Sequence, residues 1–412
     1  MAATDSVSTN LLFDPRDPQM HADPYPYYHR LRTTDPVHRS PFGYWVLSRH
    51  QDVDVILRDN RSCSDFPHDE AWARHRGGAD SPIVRSTMLW LMMQDGAAHQ
   101  RIRSLVGRVL TARAVEHLRP QVAAIIDELI DKTGEGEADL VERIALPLPI
   151  MVIGELLGIP RADREQCRVW TDRIGRVVDP VVTPDMRVAM NQALTEFSAY
   201  LAEQVQIRKK NPGPDLLSSL VTMEENGDRL TDDEIIANVL LLFNAGHETT
   251  VNLIGNGMLA LLQHPEEMSL LRENPGLMSQ AVEELSRYDS PVQIAARIMT
   301  ADVTLGDTTI PAAAKVMMIY GAANRDPARY TDPDRLNLRR TGVKSLAYGG
   351  GTHFCTGAPL ARLEVGMVFT ALLQRYQSIE LATDQLSWRA NFNLRGLAEL
   401  PLRLSQLTGS PR

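Results

Sequence analysis

Apolar positions recur with two different periods along this chain, and the change of period predicts its architecture. Three runs near the N-terminus, VHRS, GYWVLS and DVDVIL, are rich in β-branched or aromatic residues and separated by turns, which predicts a small sheet. From about Pro120 the period becomes helical, and helical patterns dominate to about Tyr288. The first helix face is marked by Val122, Ile125, Ile126, Leu129 and Ile130. Strand patterns return at 301–305, at 315–320 and near the C-terminus, so the predicted class is mainly α with minor β.

One long helix is predicted near the centre of the chain. It begins after Thr231, where Thr-Asp-Asp-Glu forms a capping box with Glu234, and it ends before Pro265. Such a helix is roughly 50 Å long, enough to cross a whole domain. Its middle reads NAGHETT over residues 244–250, although Gly and Thr are poor choices for a helix interior. A functional site is expected where an otherwise consistent element breaks a local rule.

Composition narrows the class of protein. The 412 residues carry a net charge of −9, which disfavours nucleic acid and anionic lipid as partners. The start of the chain does not resemble a signal peptide, and the apolar stretches are too short to cross a bilayer, so we expect no membrane anchor and a cytoplasmic location. Without internal repeats or linker-like tracts, one domain over residues 1–412 is the simplest prediction.

The three cysteines, Cys63, Cys167 and Cys355, are too few for a disulfide framework and suit a reducing compartment. A lone cysteine is usually an inert core thiol. Cys355 differs because it lies in YGGGTHFCTG, where glycines let the backbone approach a bulky planar group. Pro359 then marks the start of a helix, whose exposed amides favour the thiolate form that binds iron.

This segment resembles the haem-binding loop of the cytochrome P450 family, Phe-x-x-Gly-x-x-x-Cys-x-Gly. Gly351, Cys355 and Gly357 match the motif, whereas Tyr348 stands in place of the Phe and brings a hydroxyl that needs a partner. The resemblance implies a P450 fold, a single large domain with a long central helix over the haem. It further implies heme b (iron protoporphyrin IX) with Cys355 as the axial ligand of the iron.

The centre of the long helix resembles the family motif Ala-Gly-x-Asp/Glu-Thr. By this resemblance Glu248 and Thr249 are the catalytic acid and alcohol that relay protons during dioxygen activation. From the residues alone, a capping or back-bonding pair on a kinked helix is an equal alternative.

Further motif matches concern a structural pair and the residues that would bind the haem propionates. Glu284 and Arg287 resemble the family's Glu-x-x-Arg structural pair, although three-residue spacing also fits an ordinary surface ion pair. His99 and Arg103 lie four apart on one predicted helix face and resemble the family's propionate-binding His-x-x-x-Arg. Arg297 and His353 occupy later propionate-binding positions of the family. Taken singly, each of these four basic residues is by default a solvated surface charge.

The motifs span His99 to Gly357 in the family's order, which favours a monooxygenase that uses O2 and two electrons to hydroxylate or epoxidise its substrate. The resemblance is closest to soluble bacterial P450s, so ferredoxin and ferredoxin reductase are the expected partners and NAD(P)H the electron source. A peroxide-using haem enzyme and a haem sensor or carrier without turnover are the alternatives, and neither requires the Glu248–Thr249 pair.

The segments AGHETTVNLI and GAPLARLE look similar to P450s that tailor polyketide macrolides in antibiotic biosynthesis, which suggests a bulky, largely apolar substrate. Candidate pocket residues are Met92, Met93, Asn244, Ala245, Gln293, Ile294, Phe392 and Leu394. For most of them packing in the core is the ordinary role, and Asn244, polar in an apolar helix, is the least easily explained as core.

Overall fold

The computed structural model describes residues 13, 17–179, 182–224, 228–391 and 393–406, and Phe392 lies outside them. The described α-helices are α1 Pro18–Ala22, α2 Tyr25–Thr34, α3 His50–Arg58, α4 Glu70–His75, α5 Pro82–Thr87, α6 Gly96–Val109, α7 Ala112–His117, α8 Arg119–Thr133, α9 Pro147–Leu156, α10 Arg164–Ile174, α11 Pro184–Lys210, α12 Leu216–Thr222, α13 Asp232–Gln263, α14 Pro265–Glu273, α15 Met278–Tyr288, α16 Tyr320–Ala323 and α17 Ala358–Arg375. The described strands are β1 Val37–Arg39, β2 Tyr44–Leu47, β3 Ser62–Cys63, β4 Gly136–Asp139, β5 Ile294–Met299, β6 Val303–Leu305, β7 Thr308–Ile310, β8 Lys315–Ile319, β9 Tyr376–Leu381 and β10 Pro401–Gln406.

The long central helix is α13, and its predicted start is confirmed. Thr231 accepts a hydrogen bond from the Glu234 amide while the Glu234 side chain accepts one from the Thr231 amide. The helix packs against α9, α11, α15 and α17. Its first half lies in an apolar cluster with α10 and α11, and its second half lies in another with α8, α15 and α17. The segment 244–250 therefore lies where the two halves of the core meet.

A five-stranded sheet forms the N-terminal side of the molecule in the order β1-β2-β8-β5-β3. Strands β2 and β8 are parallel, and the other neighbours are antiparallel. The runs VHRS and GYWVLS supply β1 and β2, as predicted. No described helix is both long and apolar enough to cross a membrane.

The prediction that DVDVIL is a strand is wrong, because these residues belong to helix α3. Val53, Ile56 and Leu57 are all buried, and their spacing of three and four residues is that of one helix face. In the run itself apolar and polar residues alternate at first, so the local pattern fits both periods. Tertiary packing favours the helix, because in this conformation the three side chains pack together against β5 and β8.

Candidate active site

Cys355 lies in a tight loop between the sheet side of the molecule and the start of α17. Its amide donates to the Tyr348 carbonyl over 2.9 Å, which closes the loop. Gly351 has a φ of 64°, and a Cβ atom there would lie 2.1 Å from the Leu57 carbonyl oxygen of α3. Only glycine fits this close approach, so the Gly-rich sequence serves loop closure against α3 as well as access to the sulfur.

Solvent reaches Cys355, although protein surrounds its thiol on most sides. Burial raises the pKa of the Cys355 thiol, and backbone hydrogen bonds from Gly357 and Ala358 oppose that rise. The helix start thus favours the thiolate as expected, but burial outweighs it in the polypeptide alone. A metal ion at the sulfur would remove the proton outright.

Tyr348 finds the hydroxyl partner that its replacement of Phe requires. The hydroxyl lies 3.2 Å from the Ser286 hydroxyl of α15, and both groups are buried. The Arg362 guanidinium of α17 lies 4.4 Å from the centre of the Tyr348 ring. This aromatic ring is therefore anchored to two helices directly beside the cysteine loop.

Cationic side chains gather around the same loop. The rings of His99 and His353 are 4.3 Å apart, and His353 Nε2 lies 2.9 Å from an Asp95 carboxylate oxygen. Arg103 donates to the Phe354 carbonyl over 2.8 Å. Burial, followed by the charge of His353 and Arg103, lowers the pKa of His99 to about 4.

His99 Nε2 is buried without a hydrogen-bond partner among the described residues. A buried imidazole nitrogen beside cations calls for an anionic acceptor, which the two carboxylates of a haem would supply. An accessible thiol with these donors around it thus fits a haem, whose iron Cys355 would bind and whose carboxylates these donors would hold.

Arg297 joins this group from strand β5. Its charge acts on His99, Asp95 and Cys63, which places it at the same end of the site. Ile294 lies three residues earlier in β5, and because side chains alternate along a strand it faces the opposite side. There it packs with Phe13 and Tyr28 rather than toward the cysteine.

Gln293 also lies apart from this group. Its amide donates to the Ser290 carbonyl, and the side chain packs against Gly321 and Tyr28. The other pocket candidates are mixed: Met93 is a buried core residue, Met92 is 40% exposed, and Leu394 pairs with Val292 in an isolated bridge.

Glu248 and Thr249 occupy the middle of α13 but do not bond to each other. The Thr249 hydroxyl donates to the Ala245 carbonyl over 2.7 Å, which is the back-bonding arrangement that the sequence left open. A Glu248 carboxylate oxygen lies 3.7 Å from Arg389 Nη1. Burial raises the pKa of Glu248, whereas Arg389 and Arg176 lower it. The acid is therefore poised to carry a proton, and its nearest cation comes from the C-terminal segment.

Ala245 is exposed although it belongs to a helix whose central residues are mostly buried. The neighbouring Asn244 has an amide nitrogen that is buried without a partner among the described residues. This part of α13 therefore borders open space on one side.

Glu284 and Arg287 form a fully buried ion pair rather than a surface pair. Arg287 donates twice to the Glu284 carboxylate, over 2.7 and 2.8 Å, and also to the carbonyls of Asn324 and Pro333. Arg340 contributes a second cation, 3.1 Å from Glu284. The pair connects α15 to the segment before the cysteine loop, so its role is structural.

Comparison with known proteins decides the family. Residues 171–387 match the family model described as Cytochrome P450. The chain belongs to the cytochrome P450 family. It is thus an oxidoreductase of the monooxygenase type, and its family implies haem and O2 as the reacting partners.

Three relatives illustrate how close this P450 is to characterised members. It is 39% identical over 410 residues to the polyketide biosynthesis cytochrome P450 PksS of Bacillus subtilis (strain 168), which covers 96% of this chain and 99% of that protein. It is 41% identical over 396 residues to the cytochrome P450 monooxygenase PikC of Streptomyces venezuelae, covering 93% and 91%. The crystal structure of P450BioI in complex with hexadec-9Z-enoic acid ligated acyl carrier protein matches with a TM-score of 0.89 at 34% identity, covering 94% and 99%.

Sequence reasoning missed two residues of this P450's site. Asp95, which orients His353 and also accepts from the Ser64 amide over 2.6 Å, stands four residues before His99, just before the start of α6. Arg389 belongs to no motif, and only the folding of the C-terminal segment onto α13 brings it to Glu248. The first could have been found from its spacing to His99, whereas the second left no local signal.

Proposed function

We propose that this P450 holds heme b through Cys355 and inserts one atom of O2 into a bulky, largely apolar substrate. The main support for this proposal is the accessible Cys355 sulfur, which accepts hydrogen bonds from two backbone amides at a helix start. The basic residues near it are His99, Arg103, Arg297 and His353. When bound, a thiolate-ligated haem activates dioxygen for this insertion. Gly351 and Gly357 belong to the same cofactor loop.

The chain's own contribution to chemistry is proton supply. Insertion of one oxygen atom consumes two electrons and two protons, and the second oxygen atom leaves as water. Glu248 is the proposed acid, because burial raises its pKa while two cations keep it ionisable. Thr249 is the proposed alcohol, and its hydroxyl must turn from the Ala245 carbonyl to take part.

The proposed substrate class is a polyketide macrolide or a similarly bulky product of secondary metabolism. PksS is named for polyketide biosynthesis, and a further relative, 36% identical, is named 6-deoxyerythronolide B hydroxylase. Ala245 is small and exposed, which leaves room over the proposed haem. Asn244, Met92 and Leu394 remain proposed pocket residues. A macrolactone should therefore perturb the haem spectrum on binding more strongly than a free fatty acid of equal mass.

The electrons are proposed to come from NAD(P)H through a ferredoxin reductase and a ferredoxin. We also propose that the described residues form a single domain, because the two apolar clusters meet along α13. The thiols of Cys63, Cys167 and Cys355 are all free, which supports a cytoplasmic location.

The test is the absorption spectrum of the dithionite-reduced protein under carbon monoxide. We expect a thiolate-type Soret band in the wild type and in Cys63→Ser. Cys63→Ser is the control, because it removes the other partly exposed thiol and leaves Cys355 intact. Cys355→Ser should abolish that band. A histidine-type band in the wild type, or a thiolate-type band that survives in Cys355→Ser, would overturn the assignment.

A further inference from the structure

Arg362 of α17 brings a positive charge to the cysteine loop. It lies four residues after Ala358, whose backbone amide bonds the Cys355 sulfur, so Ala358 and Arg362 share one face of the helix. Side chains of a helix lean toward its N-terminus, which directs the Arg362 side chain back over the turn that follows Cys355. The haem-binding motif ends at Gly357, so it assigns no role to this arginine.

The Tyr348 ring holds the Arg362 guanidinium beside the loop. The guanidinium carbon lies 4.4 Å from the centre of the ring. The carbonyl of the same tyrosine accepts the 2.9 Å hydrogen bond from the Cys355 amide that closes the loop. Burial raises the pKa of the Cys355 thiol, and the Arg362 charge is among the influences that lower it. The cation is therefore close enough for its charge to reach the sulfur.

Glu283 of α15 is the partner that limits this charge. Arg362 Nε donates to one oxygen of the Glu283 carboxylate, and Nη2 lies 3.4 Å from the other. The side chains of Arg362 and Glu283 are 35% and 25% exposed, so solvent screens them only in part. Removing one member of the pair would leave the charge of the other acting on the cysteine loop.

Arg103 is the other cation whose charge acts on the Cys355 thiol. It approaches from α6 and donates to the Phe354 carbonyl, and its proposed task is to bind a haem carboxylate. Arg362 is bound by Glu283 instead. Of these two cations, Arg362 is therefore the one that a protein carboxylate balances, rather than a carboxylate of the cofactor.

We propose that Arg362 and Glu283 set the reduction potential of the haem that Cys355 binds. The inference rests on the proposed function, because it assumes this ligand. Reduction adds one electron from the external donor to the bound haem, and no bond to the protein forms or breaks. A nearby positive charge stabilises the reduced form, and a nearby negative charge stabilises the oxidised form. Arg362 thus raises the potential and Glu283 lowers it, although neither residue transfers the electron.

The competing explanation is that the ion pair only connects α17 to α15. Breaking the pair from either side would then have one effect, a looser cysteine loop. Arg362→Met and Glu283→Gln would accordingly change the potential in the same direction. The charge explanation predicts opposite directions, because each variant leaves a different charge without its partner.

The experiment is a spectroelectrochemical titration of the haem-loaded protein, without substrate and at low ionic strength. We expect Arg362→Met to shift the reduction equilibrium at least about threefold toward the oxidised form and Glu283→Gln at least about threefold toward the reduced form. Each shift is about 28 mV, because a tenfold change of a one-electron equilibrium is about 59 mV. Arg362→Lys keeps the charge and should stay within about twofold of the wild type. Added salt should reduce both shifts.

The control is an ion pair on the three-stranded sheet β4-β10-β9, which is separate from α15 and α17. Arg403 Nη2 lies 3.1 Å from a Glu137 carboxylate oxygen there, and both side chains are exposed. Arg403→Met and Glu137→Gln remove the same two charges, so they should leave the potential of the haem unchanged.

Shifts of the same sign in Arg362→Met and Glu283→Gln would overturn the inference, as would shifts no larger than those of the control pair. If Arg362→Met takes up no haem, Glu283→Gln decides alone, and a potential at or below that of the wild type contradicts the inference. Failure of the proposed function would look different. The dithionite-reduced wild type would then lack the thiolate-type band under carbon monoxide, whatever its potential.

Discussion

Glu364 of α17 offers a test of the core that needs no substrate. The residue is 2% exposed, and its Oε2 has no hydrogen-bond partner among the described residues. Burial alone raises its pKa from 4.5 to about 8. The folded protein therefore holds this carboxyl in its neutral form at pH 7, whereas the unfolded chain releases the proton.

The sign and size of the effect follow from proton linkage. Below pH 4.5 both states are protonated and the group costs nothing. As the pH rises from 4.5 toward 8 the unfolded state is increasingly favoured, by about 1.4 kcal/mol for each pH unit. The loss from Glu364 reaches about 3 kcal/mol at pH 7, and it stops growing above pH 8, where the folded state ionises too.

The perturbation is Glu364→Gln, which keeps the shape of the side chain and removes its titration. Urea unfolding of both haem-loaded proteins, followed by tryptophan fluorescence at pH 5, 6, 7 and 8, gives the difference in unfolding free energy at each pH. All other titrating groups are shared and cancel in that difference. We expect the variant to gain on the wild type as the pH rises, and a difference that stays constant from pH 5 to pH 8 would refute the reasoning.

Three further substitutions test the site and its frame. Thr249→Ala should keep the carbon monoxide spectrum but divert electrons to peroxide, and unchanged product per electron would remove Thr249 from the relay. Arg287→Met should lower the unfolding free energy by about 3–5 kcal/mol, because the buried Glu284 carboxylate loses the cation that donates to it twice and keeps only Arg340, while the exposed Arg119→Met serves as its control. Tyr348→Phe should cost about 1 kcal/mol in urea unfolding through the lost contact with Ser286, and Ser286→Ala should then cost less in Tyr348→Phe than in the wild type, because only its bond to the Val282 carbonyl is left to lose.

Features that depend on residues close together in the sequence were predictable. The capping box at Thr231 depends on two side chains three residues apart, so the start of α13 could be read directly. The cysteine loop is likewise marked by nearby glycines and a following helix start, and the structure shows both. These signals are readable because the residues that carry them are close in sequence, although the need for Gly351 comes from Leu57 of the distant helix α3.

Features set by packing were not predictable. DVDVIL fits a strand as well as a helix, and only the burial of Val53, Ile56 and Leu57 against the sheet decides between them. The sequence predicts that Ile294 lines the substrate pocket and that Arg297, three residues later, binds a propionate. The strand period places them on opposite faces, so closeness along a strand is no guide to a shared pocket.

The polar residues of α13 differ in how strongly the sequence marks them. The segment 244–250 is marked because Gly and adjacent Thr residues weaken a helix interior. Asn252 and Asn256 weaken it less conspicuously, since a single Asn is only a moderately poor helix former and its amide could have faced solvent. Folding changes this balance. Both amides are buried, and an unpartnered buried amide costs about 1–3 kcal/mol, more than the helix propensity itself. The Asn252 amide has no hydrogen-bond partner among the described residues, and an apolar residue at position 252 would avoid that cost, so helix propensity and stability do not account for Asn252.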